Sequence, residues 1–199
     1  GSFLPETGQL SVYLRVDNWN DFSYCTLYEI ILFDEKGIKH DLGYIKIANF
    51  GQTTYARIEL PEKFESLDER YFSLGQSAEY YEIIQGLNPQ IKELLLLGLK
   101  DIVYNEKLQE RALLENVTNI SLLRGTTLVT IQGQYKRILN GEAPLTKYDF
   151  SYKTIQTENE AGYELSFNVV PVSNPPSNIH VLIGRNGVGK THLLNNMVK

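Results

Sequence analysis

Apolar and polar residues alternate through the first part of the chain. Val12, Leu14 and Val16 are interleaved with Tyr13 and Arg15, the period of two of a half-buried strand. Phe22 to Phe33 is rich in aromatic and β-branched residues. Asp34-Glu35-Lys36-Gly37 has the composition of a hairpin turn, and Ile38 to Ile47 follows as a further strand. A β-meander of about three strands is predicted, with Tyr55 to Leu60 a candidate for one more. Asn18, Trp19 and Asp21 fall at the first turn. Trp19 is expected to pack over a sheet edge, an exposed binding residue being the alternative.

From Pro61 the period changes. Ser66-Leu67-Asp68-Glu69 has capping-box spacing, and Asn88-Pro89 is a cap and first-turn pair. Leu94, Leu95, Gly98, Leu99, Ile102 and Val103 recur at helical spacing after Ile91, and Leu108, Ala112 and Leu113 continue in another helix. A small helical block over 61–124 is predicted, its leucines forming core. Residues 126–146 are ambiguous: Thr126 to Gln132 favours a strand by composition, while Gln134 to Leu139 could turn helically.

Alternation resumes at Tyr148. Tyr148, Phe150 and Tyr152, then Tyr163, Leu165, Phe167 and Val169, predict a hairpin with one apolar face. Asn174-Pro175-Pro176-Ser177 makes a rigid connection to Ile179–Ile183, which reads as a short buried strand. The expected organisation is α+β. Residues 1–9 are a leader or tag, 10–147 an accessory sensor or assembly domain, and 148–199 the start of a second domain. Gly1-Ser2 resembles a cloning remnant, and the last motif stops in mid-helix, so the chain is expected to be a fragment.

Composition narrows the picture in three ways. No apolar run exceeds four residues, and no basic patch leads into an apolar stretch, so neither a membrane helix nor a secretory signal is expected. A cytoplasmic protein with no membrane partner follows as an expectation. The net charge of −5 disfavours nucleic acid as a partner of the chain as a whole. Cys25, the one cysteine, reads as a buried small hydrophobe in a reducing compartment. His40, His180 and His192 are scattered without metal-ligand spacing.

One motif carries chemistry. Gly184-Arg185-Asn186-Gly187-Val188-Gly189-Lys190-Thr191 fits the phosphate-loop pattern G-x-x-x-x-G-K-[ST] without a gap. Glycines let a loop wrap an anion with successive N–H groups pointing inward, and a helix starting near Gly189 directs the positive end of its dipole there. Lys190 would reach the β- and γ-phosphates, and the Thr191 hydroxyl would ligate Mg²⁺.

The run Ile183 to Asn195 resembles the Walker A loop of ABC-type ATPases, commonly G-x-N-G-x-G-K-[ST]. Soluble SMC-, RecF- and OLD-like ATPases are similar, as are bacterial AAA-family ATPases that include anti-phage defence proteins. The resemblance implies that the hairpin is the antiparallel β-lobe leading into the first strand, P-loop and helix of an ABC-type α/β core. It implies ATP and Mg²⁺ as cofactors, with Gly184, Asn186, Gly187, Val188, Gly189, Lys190, Thr191 and His192 binding nucleotide and Thr191 the metal. It further implies a second ATPase subunit as partner, with an effector protein or nucleic acid downstream. Tyr152 or Tyr163 would stack on adenine. His192 departs from the Ser or Thr usual at its position, and the roughly 150 residues before the β-lobe argue against a transporter subunit. No Walker B or signature motif is present, so no catalytic residue is expected within the chain. The alternative is a non-enzymatic interaction module with a vestigial loop.

Overall fold

The computed structural model describes residues 4–55, 58–142, 146–156, 162–171, 173 and 177–197. The chain divides into two compact units, residues 1–144 and 145–199. The fold is α+β, with antiparallel sheets in both units.

In the first unit, β1 (Ser11–Val16), β2 (Leu27–Phe33), β3 (Lys39–Asn49) and β4 (Tyr71–Gly75) form one antiparallel sheet in sequence order. The hairpin between β2 and β3 forms at Asp34–Gly37 as its composition predicts. Gly37 takes φ 76°, and Asp34 Oδ1 accepts the amide N–H groups of Lys36 and Ile38 at 2.9 and 2.8 Å. Asp34 is therefore a tied-down turn carboxylate, paired with His40 at 3.1 Å, and not a freely solvated charge. The β2–β3 register shifts between Ile30 and Ile31, opposite Gly43, whose φ of 74° supplies the left-handed residue such a bulge calls for.

The fourth strand is not Tyr55–Leu60. Ile58–Leu60 carries no strand pairing, and Glu59 is held through its carbonyl by the Tyr71 hydroxyl at 2.8 Å; residues 56–57 lie outside the described residues. The capping-box reading of Ser66–Glu69 fails for a related reason. That segment leads into β4, where all five residues are buried, so sheet burial overrides the local helix signal. The first helix instead starts after Ser77, whose hydroxyl accepts the Tyr80 amide at 3.1 Å.

Helices α1 (Ala78–Gln85), α2 (Pro89–Gly98) and α3 (Glu106–Ala112) bury Tyr80, Tyr81, Ile84, Ile91, Leu95, Leu96, Leu108 and Ala112 in one core with Ile30, Leu32, Ile45 and Ile47 of the sheet. Asn88 caps α2 as predicted, accepting the Gln90 amide at 2.9 Å. Leu94 points outward and Ile102 and Val103 lie past the helix end, although both of the latter are buried. Leu128–Gln132 is helical where composition favoured a strand over Thr126–Gln132, and Thr126 and Thr127 lie outside the helix. A π-helical turn at Thr130–Tyr135 leads into α4 (Lys136–Leu139), with Thr127 Oγ1 accepting the Thr130 amide and Ile131 and Tyr135 buried one turn apart.

A second π turn, Thr118–Leu122, meets a buried carboxylate. Asp21 receives Lys46 Nζ at 2.7 Å, Arg124 Nη1 at 2.7 Å, Ser121 Oγ at 2.9 Å and Trp19 Nε1 at 2.8 Å. Lys46 Nζ also donates to the Ser121 carbonyl at 2.6 Å. Burial pushes the Asp21 carboxyl up, but the bonds from Lys46, Trp19 and Ser121 outweigh it and hold the group below the ordinary carboxylate range. Lys46→Met leaves this carboxylate short of a buried partner and is expected to cost about 3 kcal/mol or more in urea unfolding. A loss below about 1 kcal/mol would mean that the network is not a structural hub.

A second buried carboxylate, Asp101, accepts the amides of Val103 at 2.8 Å and Tyr104 at 3.0 Å and the Tyr81 hydroxyl at 3.0 Å. Burial nevertheless pushes its pKa up to about 6. The folded state thus binds this proton more tightly than the unfolded chain does. The stabilisation is full below about pH 4 and is lost as pH rises through 6, by about 3 kcal/mol in all. Asp101→Asn keeps the two amide bonds and should remove this slope. Urea midpoints of both proteins between pH 4 and 7 test it, and parallel curves would refute it.

Candidate phosphate-binding loop

In the second unit, β5 (Tyr148–Lys153) and β6 (Glu164–Val169) pair antiparallel as the alternation predicts, with Phe150 opposite Phe167. Their rings stack at 4.8 Å, and His180 meets Phe167 edge-on at 5.0 Å. The aromatic stripe is exposed on this two-stranded sheet: Tyr148 and Phe150 are at least half accessible. Tyr152 and Tyr163 lie 6.5 Å apart between ring centroids, tilted by 37°.

Ile179–Ile183 does not form the expected strand. It pairs with nothing among the described residues, and Ile183 is 88% exposed. A buried parallel strand needs hydrogen-bonding neighbours on its sides and cover on its faces. The described residues of this unit include only the β5–β6 ladder, and the segment is not part of it.

The loop after it does take a defined form. Gly187 and Gly189 have φ of 83° and 90°, and a Cβ at either would meet open space. Both positions therefore call for glycine on conformational grounds and not because space is short. Lys190 opens α5 (Lys190–Met197), and the Leu193 amide bonds the Gly189 carbonyl at 2.9 Å to close the first turn. Lys190 Nζ folds back to donate to the carbonyls of Gly184 at 2.7 Å and Arg185 at 2.9 Å. A cation is thus pinned across a glycine loop at the positive end of a helix, which suits a phosphate group. Leu193 is the buried anchor of α5, while Leu194 is exposed.

Gly184 through His192 are contiguous, so the structure keeps them together, but their side chains differ in direction. Asn196 Nδ2 lies 2.9 Å from His192 Nε2, drawing the ring toward the following turn of α5. Of His192, the backbone is what remains at the loop. Its partnership with Asn196 has i, i+4 spacing and was available to sequence reasoning. Thr191 is exposed at the first turn of the helix. Among the described residues no group of three or more His, Cys, Asp or Glu side chains is placed to hold a metal, and no helix is long and apolar enough to cross a membrane.

The chain is 39% identical over 202 aligned positions to protein ea59 of Escherichia phage lambda. The match takes in the whole of this chain and 38% of the phage protein, so the chain spans well under half of that relative's length. No protein-family profile matches the chain, and no solved structure is detectably similar to it.

Gly189→Ala forces an L side chain into the left-handed region at the carbonyl that starts α5. Faster amide exchange at residues 190–194 is expected, with the first unit unaffected. Unchanged rates would show that the turn does not depend on this glycine.

Proposed function

We propose that residues 184–192 bind the phosphates of ATP, as the opening of an ABC-type, SMC- or OLD-like ATPase core. The observation that carries this reading is the loop itself: two left-handed glycines with clear space beside them, a helix beginning at Lys190, and the Lys190 ammonium held by loop carbonyls. In this reading the Lys190 ammonium moves from the carbonyls of Gly184 and Arg185 to the phosphates. The amides of residues 187–192 would donate to them, and the Thr191 hydroxyl would hold Mg²⁺. Bound MgATP supplies the energy of phosphoanhydride hydrolysis to a conformational cycle. That cycle would be completed by a second ATPase subunit and coupled to an effector protein or nucleic acid. A role in antiviral defence rests on the resemblance alone, since the relative is a phage protein whose name states no activity.

The second reading, an interaction module with a vestigial loop, is favoured by one observation. The segment expected to hold the loop on a sheet, Ile179–Ile183, is exposed and unpaired.

Titration of a fluorescent ATP analogue into this chain and into the full natural gene product, with and without Mg²⁺, separates the two. The ATPase reading expects Mg²⁺-dependent binding by the full product, weakened at least ~10-fold by Lys190→Ala, with Thr191→Ala removing the Mg²⁺ effect. Absence of binding by the full product, or equal affinity in Lys190→Ala, overturns it.

A further inference from the structure

Asp21 and Tyr24 close a two-residue hairpin through reciprocal amide–carbonyl bonds of 2.8 and 3.0 Å. Its two central residues, Phe22 and Ser23, have φ of 47° and 76°. A turn that is left-handed at both central positions is normally built from Gly, Asn or Asp, because a Cβ is crowded there. Phe22 is an outlier of the sort that persists only when its surroundings impose it. Two bonds do so: Asn20 Oδ1 accepts the Ser23 amide at 2.5 Å, and the Tyr55 amide donates to the Ser23 carbonyl at 2.8 Å. Tyr55 is itself left-handed, at φ 66°.

The result of this strain is exposed aromatic surface. Phe22 is 73%, Trp19 54% and Tyr55 88% accessible. Trp19 thus does not lie covered over a sheet edge. The Arg124 guanidinium lies 4.8 Å from the Phe22 ring centroid and 5.7 Å from that of Trp19, so two rings flank one cation. Arg124 and Trp19 are both bonded to the same oxygen of buried Asp21, which Lys46 holds from the other side. The group is rigid before any partner arrives, and Trp, Tyr and Arg are the residue types that dominate binding energy at interfaces.

We propose that Trp19, Phe22 and Arg124, with Tyr55 alongside, form a docking surface for a short peptide segment of another protein that presents an apolar side chain beside a carboxylate. Size points to a segment. Three aromatics at these exposures offer about 400 Å², about half of what each partner contributes to a standard interface between folded proteins. Charge points to a polypeptide. Residues 1–144 contain 14 Lys and Arg against 20 Asp and Glu, a poor match for a nucleic-acid backbone. At the patch itself, Asp21 faces two cations and Asp17 is engaged by the Trp19 amide, which leaves Arg124 able to receive a carboxylate. The proposal is independent of nucleotide binding at residues 184–192.

Trp19 is the one tryptophan in the chain, so its fluorescence reads this patch directly. A random decapeptide library is selected on the whole chain and counter-selected on Phe22→Asn/Ser23→Gly. Enriched peptides should pair an aromatic or aliphatic residue with Asp or Glu and quench Trp19 saturably. The double variant should bind them at least ~10-fold more weakly, while its thermal midpoint rises by about 2–4 °C because the turn receives its preferred residues. Tyr55→Gly, which also relieves a left-handed residue, supplies a second variant and should weaken binding several-fold. Peptides that bind both variants as well as the wild type, or no enrichment, overturn the proposal. Saturable quenching by oligo(dT) that the double variant abolishes would assign the patch to single-stranded nucleic acid and overturn it too.

Discussion

The Asp21 carboxylate, almost wholly removed from solvent, is the point on which the first unit depends. It ties the loop before β2 to Lys46 on β3 and to Ser121 and Arg124 at the end of the helical block. An isolated charge in such a place would be prohibitively expensive, so all four donors have to be present together. The π-helical turn at Thr118–Leu122 serves this requirement. Its wider register brings both the hydroxyl and the carbonyl of Ser121 to the ion pair, where the hydroxyl also accepts from Thr26 at 2.7 Å. The same constraint that closes the core therefore also fixes Trp19 and Arg124 at the surface.

The second unit is organised differently. Its order comes from a two-stranded ladder and one short helix, with Leu193 as the buried residue of that helix. The glycine loop at 184–191 is shaped by local conformation, two left-handed glycines and a lysine folded back on carbonyls, more than by packing. That is consistent with a site whose geometry is written in a few consecutive residues. It also explains how the loop can be formed while Ile179–Ile183 beside it is not a strand: glycine conformations need no neighbour, and a strand does.

Features legible in the chain were those governed by near neighbours. The period of two located β1, β5 and β6. The turn residues located the hairpin at Asp34–Gly37, and Asn88-Pro89 located the start of α2. Glycine spacing located the loop at 184–191. The misreadings came where a local preference met a distant demand. Thr126–Gln132 has strand composition, but the burial of Ile131 and Tyr135 goes with a helical run from Leu128. Ser66–Glu69 has cap spacing, but β4 must fill the edge of the sheet beyond it.

The sequence by itself determined an α+β chain, a glycine loop and a hairpin before it, because each depends on spacings of a few residues. The tertiary structure alone decided that Asp21, Lys46 and Arg124 are one network, since they lie 25 and 103 positions apart in pairings no period encodes. It also decided that Trp19 is open to solvent and that Phe22 sits in a strained turn. Backbone handedness and exposure are set by what the rest of the chain packs against, and that information is spread over the whole sequence.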